Sequence, residues 1–463
     1  MITSPIFDQF VNHSPLSVMS RATIERVFSS SSLDALFDRV ADTGYTRELL
    51  FSTVVDLMSL VVFRQAPHIQ SAYKQRAEQI PVTLKSVYEK LQNIEPVVSA
   101  ELVRHVTGRC HDVIAQMSGA RKPLLAGRRV RILDGNHLAA TQKRLRVTRG
   151  HTAGALPGQA LAILDPQAMV IADLIPCEDA HTQERALLDQ VLAKVDIGDV
   201  WVGDRNFCTT EFLCELEQEE AFFVIRRHGN MTTEAEPGVD WGAEVETETG
   251  WVRERRVWVC VGGLRVLEVR CVRLRLRQPT EDGDAEIEIL TNLPVEEADA
   301  VAVANLYRNR WTIEGAFHEL TLSLRCEVDT LGYPKAALFG FAVAASAYNV
   351  LSVLKAALRV THGAEKVANE VSSYYLVLEL SAVYAGMMIA LPAPLWSCFG
   401  SMPIAEFAGH LRRWAARVNM ARIKKSPRKP TKNPTPRIQD PGPHVSTARL
   451  LDDAKKNKKS TKK

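Results

Sequence analysis

Between residues 129 and 226, short β-rich runs alternate with helical stretches in the order β-β-β-α-β-α-β, which few folds accept. Arg129–Asp134 is the first run. Leu161–Leu164 and Met169–Ile175 flank an Asp165-Pro166 turn and read as a hairpin, and Ala180–Val195 has helical periodicity. Asp199–Asp204 is again strand-like, Thr210–Glu220 helical and Phe222–Arg226 strand-like. A hairpin followed by strand–helix–strand units predicts an α/β fold, a mixed sheet with helices on its faces.

The flanks have other textures. Residues 20 to about 118 read as helices, with apolar spacing at Ile24, Val27 and Phe28 and a run from Leu49 to Phe63. Trp251–Val261, Leu264–Arg277 and Ala285–Leu290 alternate apolar with polar or Arg residues, which predicts an antiparallel β insertion over about 229–293. Helix is expected from Glu296 through Arg325, and helical texture continues to about Ile423. The divisions expected are 1–118 helical, 119–335 α/β, 336–423 helical, and a basic tail 424–463. That tail holds six prolines and little to bury, so disorder is expected there. Ala336–Leu354 approaches membrane length but carries Ser346, Asn349 and Ser352, so a buried helix is the expectation.

Composition matters chiefly through charge. The net charge of +3 hides 14 Lys and Arg against 3 acids from Arg422 to Lys463, or +11. The first 421 residues therefore carry 43 basic and 51 acidic residues, or −8. Such asymmetry points to a polyanionic partner. The eight cysteines form no C-x-x-C pair, so reduced thiols in a cytoplasmic protein are expected. No basic-then-apolar leader pattern opens the sequence.

Candidate chemistry lies in carboxylates. Asp134 and Asp204 each end a predicted strand, where a rigid support faces the crevice above the sheet. Each alone could be a turn or cap residue. Tyr307, Arg310 and Glu314 lie at offsets 0, 3 and 7, on one stripe of a helix, with Trp311 and Phe317 beside it. Three carboxylates converging on one crevice can hold two divalent ions about 3.5–4 Å apart, and oxygen ligands favour Mg²⁺ or Mn²⁺. No G-x-x-x-x-G-K-[ST] loop for nucleotide phosphates is present.

Leu133-Asp134-Gly135, Gly203-Asp204-Arg205-Asn206-Phe207 and Tyr307…Arg310…Glu314 resemble the bacterial insertion-sequence DDE transposases, the group marked by Y-x2-R-x3-E-x6-K. The resemblance implies a ribonuclease-H-like catalytic core in which Asp134, Asp204 and Glu314 are catalytic and hold two Mg²⁺ or Mn²⁺ ions. It also implies a β insertion before the last catalytic helix, here inside the 110 residues between Asp204 and Glu314. Cut-and-paste transposition follows from it: hydrolysis of phosphodiesters at the element ends, then 3′-hydroxyl strand transfer into target DNA. Partners so implied are double-stranded DNA, as terminal inverted repeats and target, and a second copy in a homodimeric synapse. Nucleoid association follows too. The N-terminal helices, with Arg64, Lys74, Arg76 and Lys85, are implied to bind the element ends. The signature's Lys falls at Thr321, and His318 lies one turn earlier on nearly the same face. A catalytically weakened or inactive DNA-binding transposase relic is the alternative reading.

DNA contacts are expected from Tyr307, Arg310, His318, Thr321 and Arg205. Residues 121–150 carry nine Lys and Arg with Asp134 the only acid, so Lys143, Arg144, Arg146 and Arg149 are expected on phosphates. Aromatics in the insertion stack on a flipped base in that family, and Trp251 and Trp258 are the candidates. Asp165, Asp173, Asp179 and Asp199 read instead as turn or cap residues.

Overall fold

The computed structural model describes residues 4–42, 48–139, 145–151, 153–280, 283–328, 330–426 and 444–460. Most described residues before 118 are helical, including α1 (Phe51–Val62) and α2 (Pro96–Met117). The main strands are β1 (Val130–His137), β2 (Gln159–Asp165), β3 (Val170–Cys177), β4 (Val200–Gly203) and β5 (Phe222–Arg226). They continue with β6 (Gly250–Val261), β7 (Leu264–Leu276) and β8 (Glu286–Thr291). Helix α3 (Thr210–Gln218) joins β4 to β5. After β8 come α4 (Ala300–Arg308), α5 (Trp311–Leu322), α6 (Pro334–His362) and α7 (Ser373–Ala390), and α8 (Thr447–Ser460) closes the described chain.

The fold is mixed α/β. One sheet runs in the order β3-β2-β1-β4-β5-β8-β7-β6, with short strands Thr233–Glu234 and Val245–Glu246 on β6. β1 is antiparallel to β2 and parallel to β4, and β4 is parallel to β5. The antiparallel strands β6–β8 extend this sheet, because β8 pairs with β5 through Ile289 and Arg226.

Alternation along the strands sorts side chains onto two faces. Ile132, Val200, Val202 and Val224 join the core containing Leu306, Ile313 and α6, whereas Leu133, Trp201 and Phe223 pack with Phe212, Leu213 and Leu216 of α3. Of the described helices, α6 and α7 are long and apolar enough to cross a membrane, but the apolar window of α6 is 94% buried. Its Asn349 donates to the Thr107 hydroxyl and the Ile171 carbonyl and accepts from the Ile171 amide, tying α2, α6 and β3 together. Buried polar groups with partners cost little, which explains a polar residue in so apolar a helix.

Three expectations are corrected. The helix expected from Glu296 through Arg325 breaks at Asn309–Arg310, where Arg310, Thr312 and Ile313 donate to carbonyls three residues back. The Asn309 side chain donates to the Asn305 carbonyl and so competes with the helix ladder. The stretch 180–195 supplies only a 3₁₀ turn, Glu184–Leu187, and a short helix, Leu188–Leu192. Part of the basic tail is ordered: Val445–Ser446 pairs with Ala155–Leu156, Thr447 is buried, and Arg449 bonds Asp179. A few buried contacts anchor a helix whose Lys455 and Lys456 pair with Asp452 and Asp453.

Candidate active site

The register of two parallel strands sets the first two carboxylates. Ile132 lies beside Val202, so Asp134 and Asp204, each two residues further on, reach the same height and the same face. Asp134 is the fifth residue of β1, and Asp204 follows β4 and accepts the Asn206 amide at 2.8 Å. That bond caps the 3₁₀ turn Arg205–Phe207 and fixes the Asp204 side chain.

Helix α5 crosses this face with Ile313 buried against the strands, which sets Glu314, in its first turn, beside them. One guanidinium joins the elements. Arg310 donates from Nη1 to Asp134 Oδ2 at 2.9 Å and from Nη2 to Glu314 Oε1 at 2.8 Å. The first bond spans 176 residues of sequence. Burial works against the charge of Arg310, but Asp134, Tyr307, Glu314 and Asp204 outweigh it and hold its pKa above the ordinary value. Its Nε has no partner among the described residues.

Asp134 is short of positive charge. Burial pushes its carboxyl up to about 7; Arg310 pulls it down, and Asp204 and Glu184 push it further up. Glu184 is a fourth carboxylate, absent from the candidates that the sequence offers. It accepts from Asn206 Nδ2 at 3.2 Å and lies so close under Gly135 that a Cβ there would meet its Oε1 at 1.8 Å. Burial, then Asp204, raises its pKa. A lone Glu opening a helix reads as a solvated first-turn acid, so no local pattern marks it.

Tyr307 is 6% exposed, on the buried face of α4 that also carries Val303, Ala304 and Leu306. Burial raises the phenol's pKa, and Arg310, Arg226 and Asp204 act on it electrostatically. Trp311, beside that stripe, is 58% exposed, and Arg310 lies 5.1 Å from its ring centroid. Thr321 donates back to the Phe317 carbonyl, so its hydroxyl is spent on its own helix, while His318 is exposed.

The basic stretch is less free than its composition implies. Arg128 bonds Glu297, Arg129 bonds Asp199 and Asp196, and Arg131 pairs with Asp165. Arg146, Arg149 and Arg205 are exposed; Lys143 and Arg144 lie outside the described residues. Arg64, expected on DNA, instead donates to the Leu322 and Ser323 carbonyls at the end of α5. Helix ends leave carbonyls without intrahelical partners, which this cation supplies. Arg76 pairs with Asp56. Trp251 lies under Arg275 and Arg277, and Trp258 donates to Glu236. Asp165, Asp173, Asp179 and Asp199 are each paired with His or Arg away from the site.

The donor chemistry suits a hard divalent cation, since the carboxylates are oxygen donors in excess of nearby positive charge. Among the described residues no three His, Cys, Asp or Glu are grouped closely enough to hold a metal ion together. Arg310 stands between Asp134 and Glu314 instead.

Residues 125–350 match a family model described as a transposase DDE domain. A Sinorhizobium fredii protein that bears the name putative transposase y4zB is 30% identical over 166 residues, 33% of this chain and 41% of that protein. The chain thus matches about two-fifths of that relative's length. A piggyBac transposase synaptic complex with hairpin DNA, solved by cryo-EM, aligns over 86% of each chain at 9% identity with a TM-score of 0.40.

Proposed function

We propose that the chain, whose residues 125–350 match a transposase DDE domain, is a cut-and-paste DNA transposase of the insertion-sequence kind with a ribonuclease-H-like catalytic core. Its substrates are the terminal inverted repeats of its element and a target duplex. Asp134, Asp204 and Glu314 are the residues that would hold divalent metal, Mg²⁺ or Mn²⁺, as two ions. When bound, such ions supply Lewis-acid activation of water or a 3′-hydroxyl and stabilise the leaving oxygen. The observation that carries the reading is the Arg310 bridge, which joins Asp134 to Glu314 beside Asp204 at the same strand height.

Arg310 holds Asp134 and Glu314 together and so orients the carboxylates toward a phosphate of the bound strand. Tyr307 keeps that guanidinium in place from within the core. Glu184 steadies the Asp204 turn through Asn206. Exposed Arg146, Arg149 and Arg205 supply sequence-independent attraction to phosphates, and Lys143 and Arg144 belong to the same stretch. His318 faces the DNA, whereas Thr321 serves only as a backbone contact. Trp251 and Trp258 remain the proposed stacking residues. A homodimeric synapse on two ends is proposed, with α7 as its interface, since Leu378 and Ile389 on it are exposed.

The relic reading has one observation in its favour, the absence of a grouped metal cluster among the described residues. Purified protein, incubated with DNA carrying the ends that flank its gene, separates the two. The transposase nicks that DNA in Mg²⁺ or Mn²⁺ and not in EDTA. Binding without nicking in either metal identifies the relic.

A further inference from the structure

One turn beyond Glu314 on α5, the helix borders a cavity of about 690 Å³. Its walls come from α5, α6, the start of α7 and the segments around Arg121 and Lys425. The charged side chains lining it besides His318 are Arg121, Lys355, Arg359 and Lys425 against the single acid Glu319. Four cations minus one anion leave a net +3. Lys355 neutralises Glu319 with bonds of 2.8 and 2.7 Å, so the charge left over belongs to the other three.

Arg359 is the informative residue. It is 8% exposed, and its Nε donates to the Gly119 carbonyl at 2.9 Å. Its Nη2 is buried without a partner among the described residues. A buried guanidinium normally faces a carboxylate, because an unsatisfied buried charge is costly. Here the cation that acts on it is Arg121, of the same sign, with only the buried Tyr348 phenol acting in the opposite direction. Burial, then Arg121, lowers its pKa to about 10, in keeping with a cation pair that lacks its anion. The start of α7 also lines the cavity through Ser373, and a helix N-terminus favours negative charge.

We propose that this cavity is a phosphate-binding subsite, occupied by a backbone phosphate of the DNA strand that enters the carboxylate site. The inference rests on the transposase reading for its choice of DNA over a free phosphate. Position supports that choice: His318, which lines the cavity, follows Glu314 by four residues, a rise of roughly 6 Å along α5. Neighbouring phosphates of one strand can thus span the two sites. Three cations left without an acid in the cavity recognise the charge and oxygens of phosphate and carry no base readout.

The test measures duplex affinity against salt for the full chain, with a labelled duplex of mixed sequence as the probe. Arg121 and Lys425 are exposed, so Arg121→Gln/Lys425→Gln should fold, and Arg121→Gln alone serves if Lys425 proves structural. Every phosphate left unbound should flatten the slope of log K against log salt by about 0.9, and the pair should weaken binding about tenfold at low salt. Arg412→Gln/Arg413→Gln, which removes equal charge from exposed residues elsewhere, should change the slope less. An equal change in that control overturns the proposal. So does an unchanged slope in the cavity variant while the wild type binds DNA, and in that case the transposase reading still stands. Wild type that fails to bind any duplex sinks both. Inorganic pyrophosphate that raises the melting temperature of wild type and not of the cavity variant, with DNA affinity unaffected, would show a free-phosphate site and refute the DNA assignment.

Discussion

Asp134→Asn should stabilise the protein, and by an amount that grows with pH. Burial, less the pull of Arg310, moves the Asp134 carboxyl from its ordinary 3.8 to about 7. In the unfolded chain it titrates near its ordinary value, so the folded state binds the proton more tightly across the interval between them. Stability therefore falls as pH rises through that window, and the loss is complete above the folded value. The gap of about three units corresponds to roughly 4 kcal/mol at most, at 1.36 kcal/mol per unit. Asparagine does not titrate. The two proteins should differ little near the lower end of the window, and the variant should exceed wild type by up to that amount on the plateau. Denaturant midpoints taken across the window at constant ionic strength in EDTA provide the assay. A difference that is flat with pH, or that favours wild type at the high end, would refute the electrostatic origin of the effect. Mg²⁺ supplies a second arm. Bound by the folded state alone, it should stabilise wild type by about 2.7 kcal/mol at a hundredfold excess over its Kd and leave Asp134→Asn nearly unmoved.

Arg310→Met should remove the cation bonded to both Asp134 and Glu314 and destabilise the metal-free protein by about 3–5 kcal/mol, measured as a fall in melting temperature. Arg310→Lys should recover only part of this, since an ammonium cannot reproduce the two-pronged geometry. Deleting residues 444–463 should weaken duplex binding at moderate salt, because the Lys-rich end goes with them. The same deletion should lower the melting temperature slightly, by removing the Val445–Ser446 pairing and the Arg449–Asp179 bond, and should spare cleavage at saturating DNA.

The sheet was legible because its signals are local. Ile132, Leu133, Val200 and Val202 alternate or run together as strands do, and turns mark their ends. From there the height of Asp134 and Asp204 depends only on register, which the period of two makes robust. What escaped was whatever depends on partners distant in sequence. Arg128, Arg129 and Arg131 look like a DNA-facing patch until Glu297, Asp196, Asp199 and Asp165 arrive from elsewhere. Arg64 looks equally free until α5 ends against it. Glu184 reaches the site only because the chain folds its turn under Gly135. The break at Asn309 was hidden because the apolar spacing continues across it, and a single amide competing for one carbonyl leaves no periodic trace.

Metal-dependent chemistry on DNA by the carboxylates at 134, 204 and 314 is tested most directly by end cleavage with Asp204→Ala beside wild type, scored together with end binding. Wild type should cut at the element end in Mg²⁺ or Mn²⁺, while the variant binds the same DNA with similar affinity and cuts nothing. Cleavage that survives in Asp204→Ala would show that the three carboxylates are not the catalytic set.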